Sequence, residues 1–286
     1  MIEGGPYERP LVVKLGGGDS VDLDACLDDL ARIIRGGRRV VVVHGGRSEI
    51  DALGVRLGSP SRHALFASGA SGRLTDPVAL EVLTLALEGR VKPRIVAGLV
   101  ARGIRAVGLS GVDAGIVRAR RKTALKIREG DRARVVRDDL SGRIVEVDAA
   151  VFTSLLEAGL NPVLSPPALG EGGSLNVDAD RMAAAIAAAL RAGDLLFLTD
   201  VAGVLRDADD PATSIDRLEA NPLVLSELPR GRMRHKALAG LEALAAGVGR
   251  VVVAAGCGEA PVEAALHGRG TVLGLRREQS SAPVLP

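Results

Sequence analysis

Short apolar runs alternate with helical periodicity along most of the chain. Leu11–Leu15, Val40–Val43, Ala106–Leu109, Pro162–Leu164, Leu195–Leu198 and Val251–Ala254 read as strands. Between them, Leu23, Leu27, Leu30, Ile33 and Ile34 recur at helical spacing, as do the apolar positions of Met182–Leu190. Continuous rather than alternating apolar strands suit a sheet buried on both faces. The pattern therefore predicts an α/β fold: a three-layer αβα sandwich with a central, mostly parallel sheet. The segment 116–147 departs from it, with charged alternation and turn signals at Glu129-Gly130-Asp131 and Ser141-Gly142, and reads as an antiparallel hairpin. Ser165–Ser174 and Asp207–Thr213 read as loops, the first as a joint between two lobes.

Composition narrows the picture. The 286 residues suffice for one large domain or two closely joined lobes, and 47% apolar with only 1% aromatic residues demands a core of Leu, Val, Ile and Ala. Cys26 and Cys257 give neither a zinc spacing nor a disulfide framework, which points to a reducing, cytoplasmic setting. The start has no basic and apolar leader, and no uncharged stretch reaches the ~18 residues of a membrane span, so no membrane partner is expected.

The net charge of +2 hides an uneven distribution. From Arg118 to Arg137 nine basic residues, among them Arg118, Arg120, Arg121, Lys122 and Lys126, face only Glu129 and Asp131. A solvated hairpin and a docking surface for an acidic macromolecule are the two readings. Nucleic acid fits less well, because the segment has no aromatic residue for a base to stack on.

Several strand ends carry chemistry. Lys14 is followed by Leu15 and then Gly16-Gly17-Gly18, so a positive charge meets bare backbone N–H groups, a phosphate-holding arrangement or else a plain turn. It is not a Walker A loop, since the lysine precedes the glycines, and a dinucleotide fingerprint would need Gly where Val21 stands. Val40–Val43 ends in His44-Gly45-Gly46, and that second glycine pair would sit beside the first in a parallel sheet. His44 reads as a packed structural residue before a general base. Arg73-Leu74-Thr75-Asp76 offers a guanidinium for a bidentate carboxylate contact or, on this motif alone, an ordinary surface salt bridge, with Asp76 as N-cap of a helix opened by Pro77. Asn176-Val177-Asp178-Ala179-Asp180 has more polar residues than one cap needs, which leaves Asn176 and Asp180 for a ligand or a lysine. Thr199-Asp200 and Gly203 follow a strand as a nucleotide-binding turn or an ordinary exit. Lys236, in the helix after Gly231, is placed against the macrodipole unless an anion sits there.

Taken in order, Lys14-Leu-Gly-Gly, His44-Gly-Gly, Arg73-Leu-Thr-Asp, Ala106-Val-Gly-Leu-Ser-Gly-Val-Asp113, Asn176-Val-Asp-Ala-Asp180, Leu198-Thr-Asp-Val-Ala-Gly203 and Gly231-Arg-Met-x-x-Lys236 resemble the amino acid kinase superfamily, in its acetylglutamate kinase branch. Ser71–Asp76, Arg120–Ala124, Pro162–Ala168 and Gly231–Lys236 are most similar to members of that branch acting on aminoadipate tethered to a small acidic amino-group carrier protein, LysW. The resemblance covers the chain from about Leu11 onward.

It implies a single amino acid kinase domain of carbamate kinase-like fold. Residues 1–170 would form the amino-acid lobe, with the basic hairpin 116–147, and residues 171–286 the nucleotide lobe. Lys14, Lys236 and Asp180 would be catalytic, with Asp180 holding both lysines. Gly45, Gly46, Arg73 and Asn176 would bind the acceptor, and Gly16, Gly17, Thr199, Asp200 and Gly203 the nucleotide. ATP is the implied donor, with Mg²⁺ carried on its phosphates and no dedicated metal site in the chain. Arg118, Arg120, Arg121, Lys122 and Lys126 would receive the carrier. The acceptor implied is carrier-bound aminoadipate or glutamate; free N-acetylglutamate is the alternative, and a non-catalytic amino-acid sensor a remote one. Arg47 stands where acetylglutamate kinases carry a third glycine. The short lead before Lys14 lacks the helix of arginine-inhibited hexamers, which implies a homodimer without arginine feedback.

Overall fold

The computed structural model describes residues 9–66, 71–129, 132–207, 210, 213–219 and 232–275. β1 (Leu11–Leu15) leads through the glycine turn into α1 (Leu23–Arg35), and β2 (Val40–His44) into α2 (Arg47–Arg56). β3 (His63–Phe66) and β4 (Ser71–Arg73) precede α3 (Pro77–Ala86), which passes through a π turn (Leu87–Val91) into α4 (Lys92–Ala101). There follow β5 (Ala106–Gly111), β6 (Val117–Arg121), β7 (Leu125–Glu129), β8 (Arg132–Val136), β9 (Gly142–Val147), α5 (Ala149–Glu157), β10 (Asn161–Gly170), β11 (Gly173–Leu175) and α6 (Ala179–Ala189). The remainder holds β12 (Asp194–Thr199), β13 (Val204–Leu205), β14 (Ser214–Ile215), β15 (Arg217–Glu219), α7 (Arg232–Ala245), β16 (Arg250–Ala255), α8 (Pro261–Leu266) and β17 (Thr271–Gly274).

The main sheet runs in the order β15-β17-β16-β12-β1-β2-β10-β6-β9, with β5 and β11 also paired to β10. Its centre, β16-β12-β1-β2-β10, is parallel throughout. The period of two along each central strand sorts side chains onto two cores. Val12, Val41, Val43, Leu195, Phe197, Val251 and Val253 pack with α5, α6 and α7 on one face. Leu11, Val13, Val40, Val42, Leu196, Leu198 and Val252 pack with α1, α4 and α8 on the other. A one-residue slip would exchange the faces of a whole strand, and each fully buried Val or Leu contributes roughly 1.5–3 kcal/mol, so the register is strongly fixed. The expected α/β sandwich is the observed architecture.

Three local expectations change. Ser165–Ser174 is not a loop: β10 continues to Gly170 and turns back as β11. Pro166 and Pro167 are tolerated because they lie between two ladders; β10 pairs with β5 through Ser165 and with β11 only from Ala168. Ser141-Gly142 is not a turn, since Ser141 bridges to Asn176 and Gly142 starts β9. The segment 116–147 is antiparallel as expected but divided: β6 and β9 join the main sheet, whereas β7 and β8 join β3 and β4 in a separate sheet of order β4-β3-β7-β8. Gly130 and Asp131 of the expected turn, and much of the Asp207–Thr213 loop, lie outside the described residues, as does Gly231.

Candidate active site

Strand parity decides where each polar strand-end residue points. Lys14 is in register with Val43 and Phe197, both on the α6–α7 face, so its side chain emerges beneath α6. Leu15 is in register with His44, on the α1–α4 face. Adjacent strand ends thus send the lysine and the histidine to opposite sides of the sheet.

Asp178 caps α6 through a 2.9 Å bond from Arg181 N, which frees Asp180 for another task. Asp180 Oδ1 lies 2.9 Å from Lys14 Nζ, and both its oxygens lie 2.8 Å from Lys236 Nζ. Lys236 is the fifth described residue of α7 and 5% exposed, with its ammonium 5.0 Å from the Phe197 ring centre. Burial alone would raise the Asp180 pKa, but Lys14 and Lys236 outweigh it and hold the carboxyl well below the usual range. Burial pushes the Lys236 ammonium down, opposed by Asp180 and assisted by Lys14. The pair of lysines carries one positive charge more than Asp180 neutralises.

The two glycine turns meet beside this cluster. Gly45 N donates to Leu15 O at 3.2 Å, and Ser48 donates to Gly17 O through both its N (3.2 Å) and its Oγ (3.0 Å). A methyl added at Gly17 would lie 2.4 Å from Gly46 N, and one at Gly45 would lie 3.8 Å from Lys14 Nζ. Backbone therefore lies against backbone beside the lysines, which supplies amide dipoles for an anion. Gly16 and Gly203 have packing reasons of their own, because methyls there would meet Leu198 O at 2.8 Å and Thr271 Oγ1 at 2.6 Å. Asp200 follows β12, with its carboxylate against Gly18, and Thr199 O accepts from Gly256 N at 2.8 Å.

Arg73 lies on β4, where its guanidinium donates to Asp51 at 2.8 Å and to Ser61. Asp76 caps α3 as expected, accepting from Ala79 N at 2.8 Å. Asn176 Nδ2 donates to Thr75 Oγ1 at 2.9 Å, which joins the two segments expected to bind the acceptor. Arg47 opens α2 and reaches His63 Nε2 at 3.4 Å. Of the basic set, Arg120, Lys122 and Lys126 are exposed, Arg118 faces Glu146 at 3.8 Å, and Arg121 donates to Asp139 O at 2.9 Å and to Arg137 O. Arg73 and Lys126 belong to the same small sheet, so the arginine and part of the basic surface share one hydrogen-bonded frame.

His44 is 1% exposed, with Nδ1 3.0 Å from Gly45 O and Nε2 without a hydrogen-bond partner. Burial, with Lys92 and Lys14 adding to it against the Gly45 bond, lowers its pKa to about 4. It is buried and neutral at pH 7, on the side of the sheet opposite Lys14.

The sequence profile of the amino acid kinase family matches residues 9–255. The chain belongs to the amino acid kinase family. A [LysW]-aminoadipate kinase of Deinococcus radiodurans is 40% identical over 265 residues, covering 92% of this chain and 91% of that one. The [LysW]-aminoadipate kinase of Thermus thermophilus is 38% identical, covering 92% and 99%. An acetylglutamate kinase of Symbiobacterium thermophilum is 37% identical, covering 88% and 87%. Among solved structures, the N-acetylglutamate synthase of Neisseria gonorrhoeae superposes with a TM-score of 0.74 at 24% identity; this chain is covered to 97% but spans only 63% of the synthase. Giardia carbamate kinase superposes with a TM-score of 0.64 at 14% identity over 93% of this chain and 98% of that one. These likenesses carry the family's fold across the whole described sheet.

Within this amino acid kinase frame, sequence reading passed over Asp51, Ser61, Thr75 and Asp139. Thr75 and Asp139 carry no readable signal, since a lone Thr or Asp next to a turn is ordinary. Among the described residues no helix is long and apolar enough to cross a membrane.

Proposed function

We propose that this amino acid kinase transfers the γ-phosphoryl group of ATP to the side-chain carboxylate of aminoadipate, or its shorter homologue glutamate, tethered to a small acidic LysW-type carrier. The observation that carries the chemistry is the lysine pair on Asp180, set beside two glycine turns. A site with two buried ammonium groups beside glycine turns fits a polyphosphate, and phosphoryl transfer needs positioning and charge stabilisation more than a protein nucleophile. Magnesium rides on the nucleotide and supplies further neutralisation of its phosphates.

Residues 1–170 present most of the acceptor side and residues 171–286 most of the nucleotide side, with Asn176 and the Gly16-Gly17 turn crossing that division. Arg73, Asn176, Gly45 and Gly46 hold the acceptor, while Gly16, Gly17, Thr199, Asp200 and Gly203 form the nucleotide side. An acceptor carboxylate oxygen bonds to the γ-phosphorus as the bond from that phosphorus to the β,γ-bridging oxygen breaks, giving an acyl phosphate and ADP. No general base is required, because a carboxylate is already ionised at pH 7. Lys14 and Lys236 offset the charge that gathers on the migrating group, and Asp180 keeps both ammonium groups in place.

The carrier reading is supported by Lys126 and Arg128 of β7, which share a sheet with Arg73, and by the named relatives. Arg120, Lys122 and Lys126 receive the acidic partner, with Arg118 and Arg121 at the margin, and steer encounter while the tethered amino acid enters at Arg73. The enzyme is proposed to act as a cytoplasmic homodimer. Hydroxylamine trapping tests the reaction: carrier-bound aminoadipate with ATP should yield a hydroxamate on the carrier. ATP turnover with no trapped hydroxamate would refute it.

A further inference from the structure

Asp139 is a buried carboxylate without a part in the chemistry above. It is 2% exposed, and backbone donors from different segments take both of its oxygens. Oδ2 accepts from Thr75 N at 2.7 Å, and Oδ1 accepts from Ser141 N at 2.7 Å. Its own carbonyl accepts from Arg121 Nε at 2.9 Å, at the end of β6. Neighbouring residues close the knot: Leu140 N donates to Thr75 O (2.7 Å), Asn176 N to Leu140 O (2.9 Å) and Gly142 N to Asn176 O (2.8 Å). The Asn176 side chain then returns to Thr75 Oγ1. Three segments meet here: the exit of β4 behind Arg73, the root of β9, and the lead into α6.

Charge-assisted bonds to a desolvated carboxylate are strong and directional. No neutral side chain replaces this one, because an amide would aim its NH₂ at one of two N–H donors. The main sheet holds Lys14 and α6, whereas Arg73 sits on the small sheet, so a fixed distance between clamp and acceptor needs a rigid joint between the two. We infer that Asp139 is a positioning residue: it fixes Thr75, Asn176 and through them Arg73 against the phosphoryl clamp, and ties that acceptor loop to the root of the basic surface. The inference rests on the reading of Arg73 and Asn176 as acceptor-binding residues.

Asp139→Asn, purified as the full chain, is assayed with the acceptor varied at saturating ATP and then with ATP varied at saturating acceptor. A positioning role raises the acceptor KM at least tenfold and leaves the ATP KM within twofold. A merely structural role removes active enzyme, which lowers kcat and leaves both KM values unchanged; that result, or wild-type kinetics, overturns the inference. If Asp139→Asn yields no folded enzyme, Thr75→Val decides. It keeps the side-chain volume and removes only the acceptor for Asn176 Nδ2, so it should raise the acceptor KM at least threefold, and an unchanged acceptor KM overturns the inference. The acceptor used is whichever acyl amino acid the wild type turns over best. A wild-type preference for free N-acetylglutamate would therefore defeat the carrier reading while the KM ratio still judges Asp139.

Discussion

Lys14 and Lys236, from opposite ends of the chain, reach the same carboxylate oxygen, Oδ1 of Asp180, at 2.9 and 2.8 Å. One arrives on the central strand and the other on α7, so the clamp exists only when both halves of the sheet are assembled.

Replacing either lysine by Ala is expected to lower kcat by about 10²–10³. Asp180→Asn leaves two ammonium groups facing each other without their counter-ion, and removal of one partner of a buried pair costs about 3–5 kcal/mol. Because the folded pKa of Asp180 is depressed, its stabilisation is present above the unfolded carboxylate pKa of about 3.9 and is lost as the pH falls below it. Urea unfolding from pH 5 to pH 3 should therefore show a steeper loss in the wild type than in Asp180→Asn.

His44 titrates in a different window. Its folded pKa is about 4 against about 6.5 unfolded, so the unfolded chain binds the extra proton first. Stability from this group is complete above pH 6.5 and declines as the pH falls toward 4, by up to about 3 kcal/mol. His44→Asn retains a donor for Gly45 O and should flatten that part of the stability curve, with kcat within threefold of wild type at pH 7.5. A hundredfold loss of kcat would instead favour the general-base reading of His44.

Gly17 and Gly46 differ in what a methyl meets. At Gly17 it meets backbone, Gly46 N at 2.4 Å, whereas at Gly46 it meets the ends of Leu87 and Val91 at 2.7 and 2.9 Å. Side-chain ends shift more readily than a backbone turn. Gly17→Ala should therefore lower kcat/KM for ATP by at least tenfold more than Gly46→Ala does.

Charge reversal at Lys126 and Arg128, both exposed on β7, should lower kcat/KM for an acidic carrier-linked acceptor by at least tenfold at low salt. The deficit should shrink as salt screens the exposed charges, with the ATP KM unchanged. An equal deficit at high and low salt would point away from electrostatic docking.

Much of the frame was legible because apolar runs and their parity are local. Leu11–Leu15 reads directly as β1, and the excess of polar residues in Asn176–Asp180 already separated a cap, Asp178, from a residue with another duty. The strand beyond Ser165 was hidden, because Pro166-Pro167 signals a break unless one knows that the pairing partner changes there. Asp139 was hidden for a related reason: beside its local bond from Ser141 N it accepts from Thr75 N, 64 residues away, which no spacing in Arg137-Asp138-Asp139-Leu140 reveals. The Arg73 guanidinium could be read from sequence as a carboxylate partner, but its pairing with Asp51 and Ser61 required the fold of α2 against β4.

The most direct measurement compares kcat/KM for carrier-bound aminoadipate with that for free N-acetylglutamate at physiological salt. A preference of at least a hundredfold for the carrier-bound acceptor is the expected result. Equal or greater efficiency with free N-acetylglutamate would contradict the account and leave the basic surface beside Arg73 without its partner.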